Sequence, residues 1–311
     1  MKHQLITFLI WMVAIVMPVN GADFAMISDL GTSARHIAIG GVDGFSDAAE
    51  SIFENPAGLY RVNGFSLSVF SSKVMNEVQY TNLALSTETP IGRLGVGFME
   101  ATVSNVPVTD ATKQVINAQE VVNDVFIKDW FDYKNSLYKV AYQTRVLPQL
   151  EVGVSYVYYH QSYYSVSGHG SDLDVGMIYT QPNYEVSLLA RNVLPDTKVV
   201  YNTGAYEPLP TQYVASMKRA FKWGLDVYPQ VKYTQEQFLP SVGAKYTPNF
   251  LPFIHFMAGY KTFLTYTEGR KHNASFGIGL DLMGLTVYYA YERSDYALKD
   301  HKNYFSITTN F

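Results

Sequence analysis

His301-Lys-Asn-Tyr-Phe-Ser-Ile-Thr-Thr-Asn-Phe311 is the stretch of sequence that decides the fold. Phe305, Ile307 and Phe311 share one face of an extended chain, and polar residues alternate with them. Strict alternation over this length predicts a β-strand with one apolar and one polar face.

The same period of two recurs along most of the chain. Gly95 and Gly97 alternate with apolar neighbours, and the run from Asn273 to Leu282 alternates throughout. The polar set is rich in small residues, which suits a crowded interior. The pattern predicts fourteen strands, at about 65–73, 77–86, 91–103, 136–146, 150–161, 172–180, 184–192, 211–220, 222–234, 239–247, 253–262, 272–282, 284–293 and 302–311.

The lengths of the predicted connections depend on parity. If the segment before the first strand is periplasmic, the even-to-odd connections lie on the same side, and all of them are short. Most odd-to-even connections are long: 104–135, 162–171, 193–210, 263–271 and 294–301. Short turns at one end and long loops at the other are typical of transmembrane β-barrels. The sequence therefore predicts an all-β, antiparallel transmembrane barrel over 63–311.

Composition supports a barrel and limits its functions. Charged residues make up 16% of the chain, and aromatic residues make up 15%, which fits aromatic girdles at two membrane interfaces. A secreted β-sandwich remains the alternative. A net charge of -4 without a basic run argues against nucleic-acid binding. The absence of cysteine excludes disulfides and thiolate zinc sites.

Catalytic and cofactor motifs are absent from the sequence. His160, His169 and His255 are scattered, and neither a Gly-x-Ser-x-Gly elbow nor metal-ligand spacing occurs. We therefore expect no enzymatic activity, no metal site and no cofactor.

The first residues have the anatomy of a signal peptide. An apolar run of 13 residues, Leu5 to Met17, follows Lys2 and His3, and small residues precede a cleavage site after Gly21. We predict a signal peptide over 1–21; an uncleaved anchor is the alternative.

The segment 22–62 differs from the strand region. Asp47 is expected to cap a short helix, with Glu50 at the third helical position as in a capping box. Asn55-Pro56 ends this helix, because proline disfavours helical geometry in the residue before it. The segment is therefore interpreted as a small N-terminal unit with one helix.

Two stretches of this unit carry a family resemblance. Gly31-Thr-Ser-Ala-Arg-His-Ile-Ala-Ile-Gly-Gly41 and Asp47-Ala-Ala-Glu-Ser-Ile-Phe-Glu-Asn-Pro-Ala-Gly-Leu59 resemble the N-terminal region of the PorV/PorQ group, relatives of the FadL-type transporters of hydrophobic compounds. Arg191-Asn-Val-Leu-Pro195 and Glu207-Pro-Leu-Pro210 are a second echo. The resemblance implies a fourteen-stranded barrel whose N-terminal segment forms a plug. Arg35-His36-Ile37 departs from it, because more compact residues are usual there.

The resemblance assigns the plug turn to Asn55, Pro56, Ala57 and Gly58. In the transporters a rearrangement of the plug opens a path for hydrophobic ligands. The same turn chemistry serves equally well to fasten the plug to the wall.

Three further groups of residues are candidates. Apolar residues at spacings of three and four predict an amphipathic helical stretch in the loop 104–135, which would capture a ligand, dock a partner or form a lid; they include Val122, Phe126, Trp130 and Phe131. Charged residues on the polar strand faces are expected in the lumen, mainly as ion pairs that hold the plug: Glu185, Arg191, Asp226, Lys245, Lys261, Asp281 and Glu292. The terminal strand resembles the signal that the barrel-assembly machinery recognises, through Phe305, Ile307 and Phe311.

Two functions follow as hypotheses. The first is a channel that passes hydrophobic, fatty-acid-like molecules across the bacterial outer membrane. The second is a non-transporting accessory of protein secretion, of the type IX kind, that docks partner proteins. A lateral opening in the wall would favour the first, and a sealed barrel with a broad apolar loop surface would favour the second.

Overall fold

The computed structural model describes residues 27–74, 77–116, 119–265, 269–293 and 302–311. The predicted signal peptide, the first plug residues 22–26 and the predicted loop 294–301 lie outside these ranges. Among the described residues, no helix is both long and apolar enough to span a bilayer.

Sixteen strands form the described sheet, and fourteen of them make the barrel. The two others, β8 and β9, form a short hairpin in the external connection 193–210. The strands are β1 Phe65–Val74, β2 Val78–Thr89, β3 Gly92–Ile116, β4 Gln119–Leu147, β5 Leu150–Tyr163, β6 Val166–Gln181, β7 Tyr184–Arg191, β8 Lys198–Tyr201, β9 Tyr206–Pro208, β10 Gln212–Ala220, β11 Leu225–Thr234, β12 Gln237–Tyr246, β13 Ile254–Thr265, β14 Gly269–Leu282, β15 Leu285–Arg293 and β16 Lys302–Asn310.

Every barrel strand is antiparallel to its neighbours. The first strand pairs with the last, from Ser66 opposite Asn310 to Ser71 opposite Phe305, so the sheet closes on itself. The predicted fold, an all-β barrel of fourteen strands with an N-terminal plug, is confirmed.

Alternation separates the two faces of the wall. Val96, Val140 and Phe276 are exposed on the outside of the barrel. The residues that alternate with such outward positions, for example Ser66 and Ser155, are buried in the lumen. Because β1 pairs with β16, the closed sheet presents no free edge strand to the lipid. This fold belongs to the bacterial outer membrane, and that is the location of the chain.

The short turns lie where the sequence predicts them. Two-residue connections join β2 to β3, β4 to β5, β6 to β7 and β14 to β15, and slightly longer ones join β10 to β11 and β12 to β13. All are at the end of the barrel where β1 begins, the periplasmic end if that segment is periplasmic.

The predicted helical stretch in the connection 104–135 is wrong. β3 and β4 continue through it as a paired ribbon, from Val106 opposite Phe131 to Ile116 opposite Gln119. Its apolar residues are largely β-branched, and such side chains favour extended over helical backbone. The predicted loop 162–171 is also mostly strand, because β5 and β6 stay paired up to Tyr163 and Val166.

The outer part of this ribbon stands clear of the barrel. β3 pairs with β2 only up to Val103, and β4 pairs with β5 only from Tyr133. The remaining strand length, residues 104–116, corresponds to roughly 40 Å of extended chain. We call residues 104–132 the projecting hairpin.

The plug lies inside the barrel and contains four short helices among its described residues. Helices α1, Ala34–Ala38, and α2, Ser51–Glu54, follow one another and are flanked by 3-10 helices at Ile27–Leu30 and Pro56–Arg61. Its apolar side chains form the centre of the core, and the largest of those that are at most 1% exposed are Ile37, Ile39, Ile52, Phe53 and Leu59.

The predicted capping box is wrong. Glu50, not Asp47, precedes the first helical residue of α2, and it makes no side-chain cap. Instead, its carboxyl group accepts a hydrogen bond from Ser68 of the wall. A wall hydroxyl therefore satisfies the side chain that the capping box would have used locally.

Candidate functional site

Glycines on the inner face of the wall let the plug backbone come close. A Cβ atom at Gly153 would lie within 3.0 Å of Pro56 and Ala57 backbone atoms. A Cβ atom at Gly243 or at Gly259 would likewise lie within 3.0 Å of backbone atoms of Ile39. The small residues of the alternating pattern thus accommodate the plug rather than an open passage.

Asn55 fastens the plug turn to the wall. Its Nδ2 atom donates to Ser187 Oγ at 2.8 Å and to the Leu188 carbonyl at 3.1 Å. Its Oδ1 atom accepts from the Ala57 backbone N–H at 3.0 Å and caps the 3-10 helix that begins at Pro56. The predicted turn residues therefore lie together at the wall, and the anchor is an amide without charge.

Glu54 organises the plug from within, a role that sequence reasoning missed. Its carboxylate accepts the backbone N–H groups of Gly44, Phe45 and Ser46 at 3.1 to 3.2 Å. Arg35 closes the same loop by donating to the Phe45 carbonyl at 2.5 Å. A loop held by one buried carboxylate keeps a single conformation, which gives the plug a rigid centre.

Asp43 and Arg191 join the plug to the wall through buried charges. Arg191 Nη2 lies 2.8 Å from Asp43 Oδ1 and also donates to the carbonyls of Phe53 and Glu54 at 3.1 Å. Burial would raise the pKa of Asp43, but Arg191 and His36 outweigh it and hold the pKa of this carboxyl well below its usual range. Asp43 therefore stays ionised in the folded plug.

A second charged group lies nearer the periplasmic end. Glu185 of the wall pairs with Arg61 of the plug and accepts from the Tyr60 hydroxyl at 3.0 Å. Lys218 extends the group, with its Nζ atom 3.5 Å from Glu185 Oε1.

The other predicted lumen charges pair within the wall. Lys245 lies 3.6 Å from Asp226, and Lys261 lies 2.6 Å from Glu292. Asp281 differs, because it binds His255 at the rim of the barrel and its side chain is 46% exposed.

Above the plug, the lumen holds a cavity of about 1310 Å³. Its floor is the plug surface at Ile37, Gly40 and Gly41, and it extends to Glu207 and Gly269 in the external part of the chain. This volume exceeds the roughly 300–1,000 Å³ of ordinary ligand pockets. The barrel is thus filled in its periplasmic part and hollow in its external part.

The wall is not hydrogen-bonded evenly around this cavity. The ladder between β12 and β13 ends at Ser241 opposite Lys261, although both strands continue outward. Pro240, the next residue on β12, has no backbone N–H to donate. We call the unpaired stretch between 237–240 and 262–265 the seam.

The seam borders the cavity. Leu239 lines the cavity from one side of it, and Phe263 and Leu264 line it from the other. From Ile254 to Thr262, β13 rises roughly 20 Å along a barrel whose strands tilt by about 40°. Since the apolar band of such barrels is about 25 Å tall, a band that begins at the first residue of β13 would reach the start of the seam.

The remaining predicted residues lie on the outside. Phe126 and Trp130 are 45% and 54% exposed on the projecting hairpin, whereas Phe131 turns inward to line the cavity. Val122 lies in β4, opposite Lys113. Phe305 and Ile307 are exposed on the outer face of β16, and Phe311 is exposed directly after its last residue; their role as an assembly signal stays a prediction. Within the described ranges, no group of three or more acidic or histidine side chains could hold a metal ion.

Comparison with known proteins supports the fold. No family model matches the chain, and no curated protein matches it. Among solved structures, the Pseudomonas putida toluene transporter TodX shares 13% identity at a TM-score of 0.61, over 90% of this chain and 99% of that one. The Ralstonia pickettii toluene transporter TbuX gives 13% and 0.61, over 90% and 98%. A TodX deletion mutant described as a monoaromatic hydrocarbon channel gives 12% and 0.57, over 90% and 99%.

These similarities concern the fold. They agree with the barrel and plug that the resemblance to FadL-type transporters implies, whereas none of them tests the PorV/PorQ resemblance. TodX and TbuX are transporters by name; that this chain lacks enzymatic activity stays a prediction.

Proposed function

We propose that the chain is an outer-membrane channel for hydrophobic small molecules. A molecule enters the cavity from outside, stops above the plug and leaves through the seam into the membrane or past the plug once it moves. The observation that carries the proposal is the seam, because there the cavity meets an unpaired stretch of wall lined by Leu239, Phe263 and Leu264. The transporters that share the fold add support.

The contacts that fasten the plug also favour a lateral exit through the seam. Asn55, Asp43 and Glu185 hold it at three places, so direct passage through the periplasmic half requires breaking buried contacts. Breaking a buried ion pair by removing one of its partners costs about 3–5 kcal/mol. A lateral route avoids this cost.

Uptake by cells tests the proposal. A deletion strain carrying the wild-type chain is compared with the empty strain for the initial uptake of toluene and of a long-chain fatty acid at low concentration. The proposal predicts faster uptake of at least one of them, with unchanged uptake of a small polar solute as the control. Equal uptake in both strains would refute a transport role.

A docking role in protein secretion is the second candidate, and the projecting hairpin favours it. Val125, Phe126, Ile127 and Trp130 are 45–60% exposed on a ribbon that extends beyond the wall. A contiguous exposed apolar patch is typical of an interaction site. The partners of this role would be secretion proteins, alongside the membrane lipid and the barrel-assembly machinery that both roles need.

Removal of the hairpin separates the two candidates. A variant in which a two-residue Asn-Gly turn replaces 109–128 joins Val108 to Asp129, which face each other in the ribbon, and keeps the barrel strands, the seam and the cavity residues Val106 and Phe131. A channel retains hydrocarbon uptake after this change, whereas an accessory loses secreted proteins from the medium. Loss of secretion with normal uptake in the full deletion strain would favour the accessory role.

A further inference from the structure

The walls of the external cavity differ in chemistry. Strands β3, β4 and β5 with the β8–β9 hairpin supply an apolar and aromatic wall: Ala101, Val103, Val106, Phe131, Tyr133, Tyr163 and Tyr201. Strands β10 to β14 supply mainly amides and hydroxyls, among them Gln212, Gln230, Thr234, Gln235, Gln237 and Asn273. β4 and β13 are seven strands apart in the ring of fourteen, so the two walls face each other across the lumen.

Three cations that line the cavity already face a carboxylate. Lys232 lies 2.8 Å from Asp29, Arg191 lies 2.8 Å from Asp43, and Lys261 lies 2.6 Å from Glu292. His36 binds the same Asp43 oxygen at 3.2 Å. An anionic ligand would have to compete with a carboxylate for each of these cations, and a desolvated charge without a partner is costly.

Two buried carbonyl oxygens remain as acceptors. Asn135 and Asn273 line the cavity and are only 7% and 6% exposed. Their Oδ1 atoms have no hydrogen-bond partner among the described residues. A buried acceptor left unsatisfied carries an energetic penalty, which a donor from a ligand would relieve.

The paired cations, the aromatic wall and the two amide oxygens without a partner together indicate what kind of ligand the cavity binds. We propose that the cavity binds a neutral amphipathic molecule, whose apolar or aromatic body packs on the wall of Phe131, Tyr133 and Tyr163 and whose hydroxyl group donates to Asn135 Oδ1 or Asn273 Oδ1. The inference rests on the proposed channel function and narrows its substrate class. It selects phenols and alcohols over both plain hydrocarbons and carboxylates.

Three probes with one ring and different heads test this class. Toluene, p-cresol and p-toluate carry a hydrogen, a hydroxyl and a carboxylate at the same distance from a methyl group. Their binding to the full chain in lipid nanodiscs is measured by equilibrium dialysis, with empty nanodiscs to subtract partition into lipid. p-Cresol is expected to bind roughly 5-fold more tightly than toluene, the value of one net hydrogen bond, and p-toluate to bind most weakly.

A double variant tests whether Asn135 and Asn273 cause the preference for p-cresol over toluene. In Asn135→Leu/Asn273→Leu the affinity for p-cresol falls to that for toluene, while toluene binding is retained. Asn202→Leu, at an exposed loop asparagine outside the cavity, keeps the preference. The ranking of the three probes on the unaltered chain needs no variant and stands even if the double variant fails to fold.

The outcomes separate this inference from the proposed function. Tightest binding of p-toluate, equal binding of toluene and p-cresol, or a p-cresol preference that survives in a folded double variant overturns the inference and leaves a hydrocarbon channel intact. Saturable binding of none of the three probes also overturns the inference, and the uptake of toluene and of the long-chain fatty acid then decides the proposed function separately.

Discussion

Substitution of Gly153 by alanine is expected to change the stability of the barrel and the docking of the plug in opposite directions. Alanine is preferred to glycine within a strand by roughly 0.5–1 kcal/mol, so β5 itself gains stability. The new Cβ atom, however, would lie within 3.0 Å of backbone atoms of Pro56 and Ala57. These atoms belong to the turn that Asn55 fastens to the wall, so they cannot yield without losing that anchor. Overpacking of this kind costs about 1–3 kcal/mol, all of it against the docked plug.

Gly95→Ala is the matched control on the same inner face. Its Cβ atom would approach Leu59 Cδ1 at 3.1 Å and Ile52 Cδ1 at 3.3 Å. Both are ends of flexible side chains and yield at little cost. The two variants therefore make the same chemical change against a rigid and a soft neighbour.

The chain contains no cysteine, so a single reporter can follow the plug. Ala48→Cys places a thiol at a plug position that is 4% exposed. Its labelling rate with a maleimide measures plug release, and the heat-dependent shift of the barrel on a denaturing gel measures the wall. A cost of about 1–3 kcal/mol predicts labelling about 5- to 150-fold faster in Gly153→Ala and close to wild type in Gly95→Ala. Equal rates in the two variants, with both barrels folded, would refute the reasoning.

Three more predictions concern the plug, and the same reporter checks them. Asn55→Ala removes two wall hydrogen bonds and a helix cap, so plug docking weakens by about 2–4 kcal/mol; unchanged labelling would contradict the anchor. Arg191→Met leaves Asp43 buried beside His36 without its guanidinium and weakens docking by about 3–5 kcal/mol, and the second change Asp43→Asn restores much of it; additive effects in a double-mutant cycle would argue against a direct pair. Burial raises the pKa of Glu50 to about 7, so the contribution of this protonated carboxyl group to docking is full up to about pH 4.5 and is lost as the pH rises through 7. Glu50→Gln abolishes this dependence, worth about 3 kcal/mol, and a labelling rate that does not vary with pH in the wild type would contradict it.

Strand number and turn positions could be predicted because both are local. Alternation identified the fourteen barrel strands, and the short even-to-odd connections lie where it predicts them. Pairing of β1 with β16 then follows from closure, since an open edge has no place in a bilayer. The paired extension of β3 and β4 was missed because short β-branched runs satisfy helical and strand spacing alike.

The candidate site could be predicted only in part. The plug turn at Asn55 was expected from the resemblance, and its two alternatives, a gate or a fastening, now have defined contacts to test. Glu54 and Asp43 were missed because their partners are backbone groups and a distant strand, which no local spacing reveals. The seam was missed for a similar reason, since Pro240 marks it only once the register with β13 is known.

Closing the seam with a covalent bridge tests the channel most directly. Leu239→Cys and Phe263→Cys, one on each strand bordering the seam, are joined by a flexible bis-maleimide in a chain that has no other cysteine. Tyr233→Cys and Phe238→Cys, joined in the same way across the intact ladder between β11 and β12, form the control. The account predicts that toluene uptake falls to the level of cells without the channel for the seam pair and stays at the wild-type level for the control. Full uptake by the bridged seam pair would contradict it.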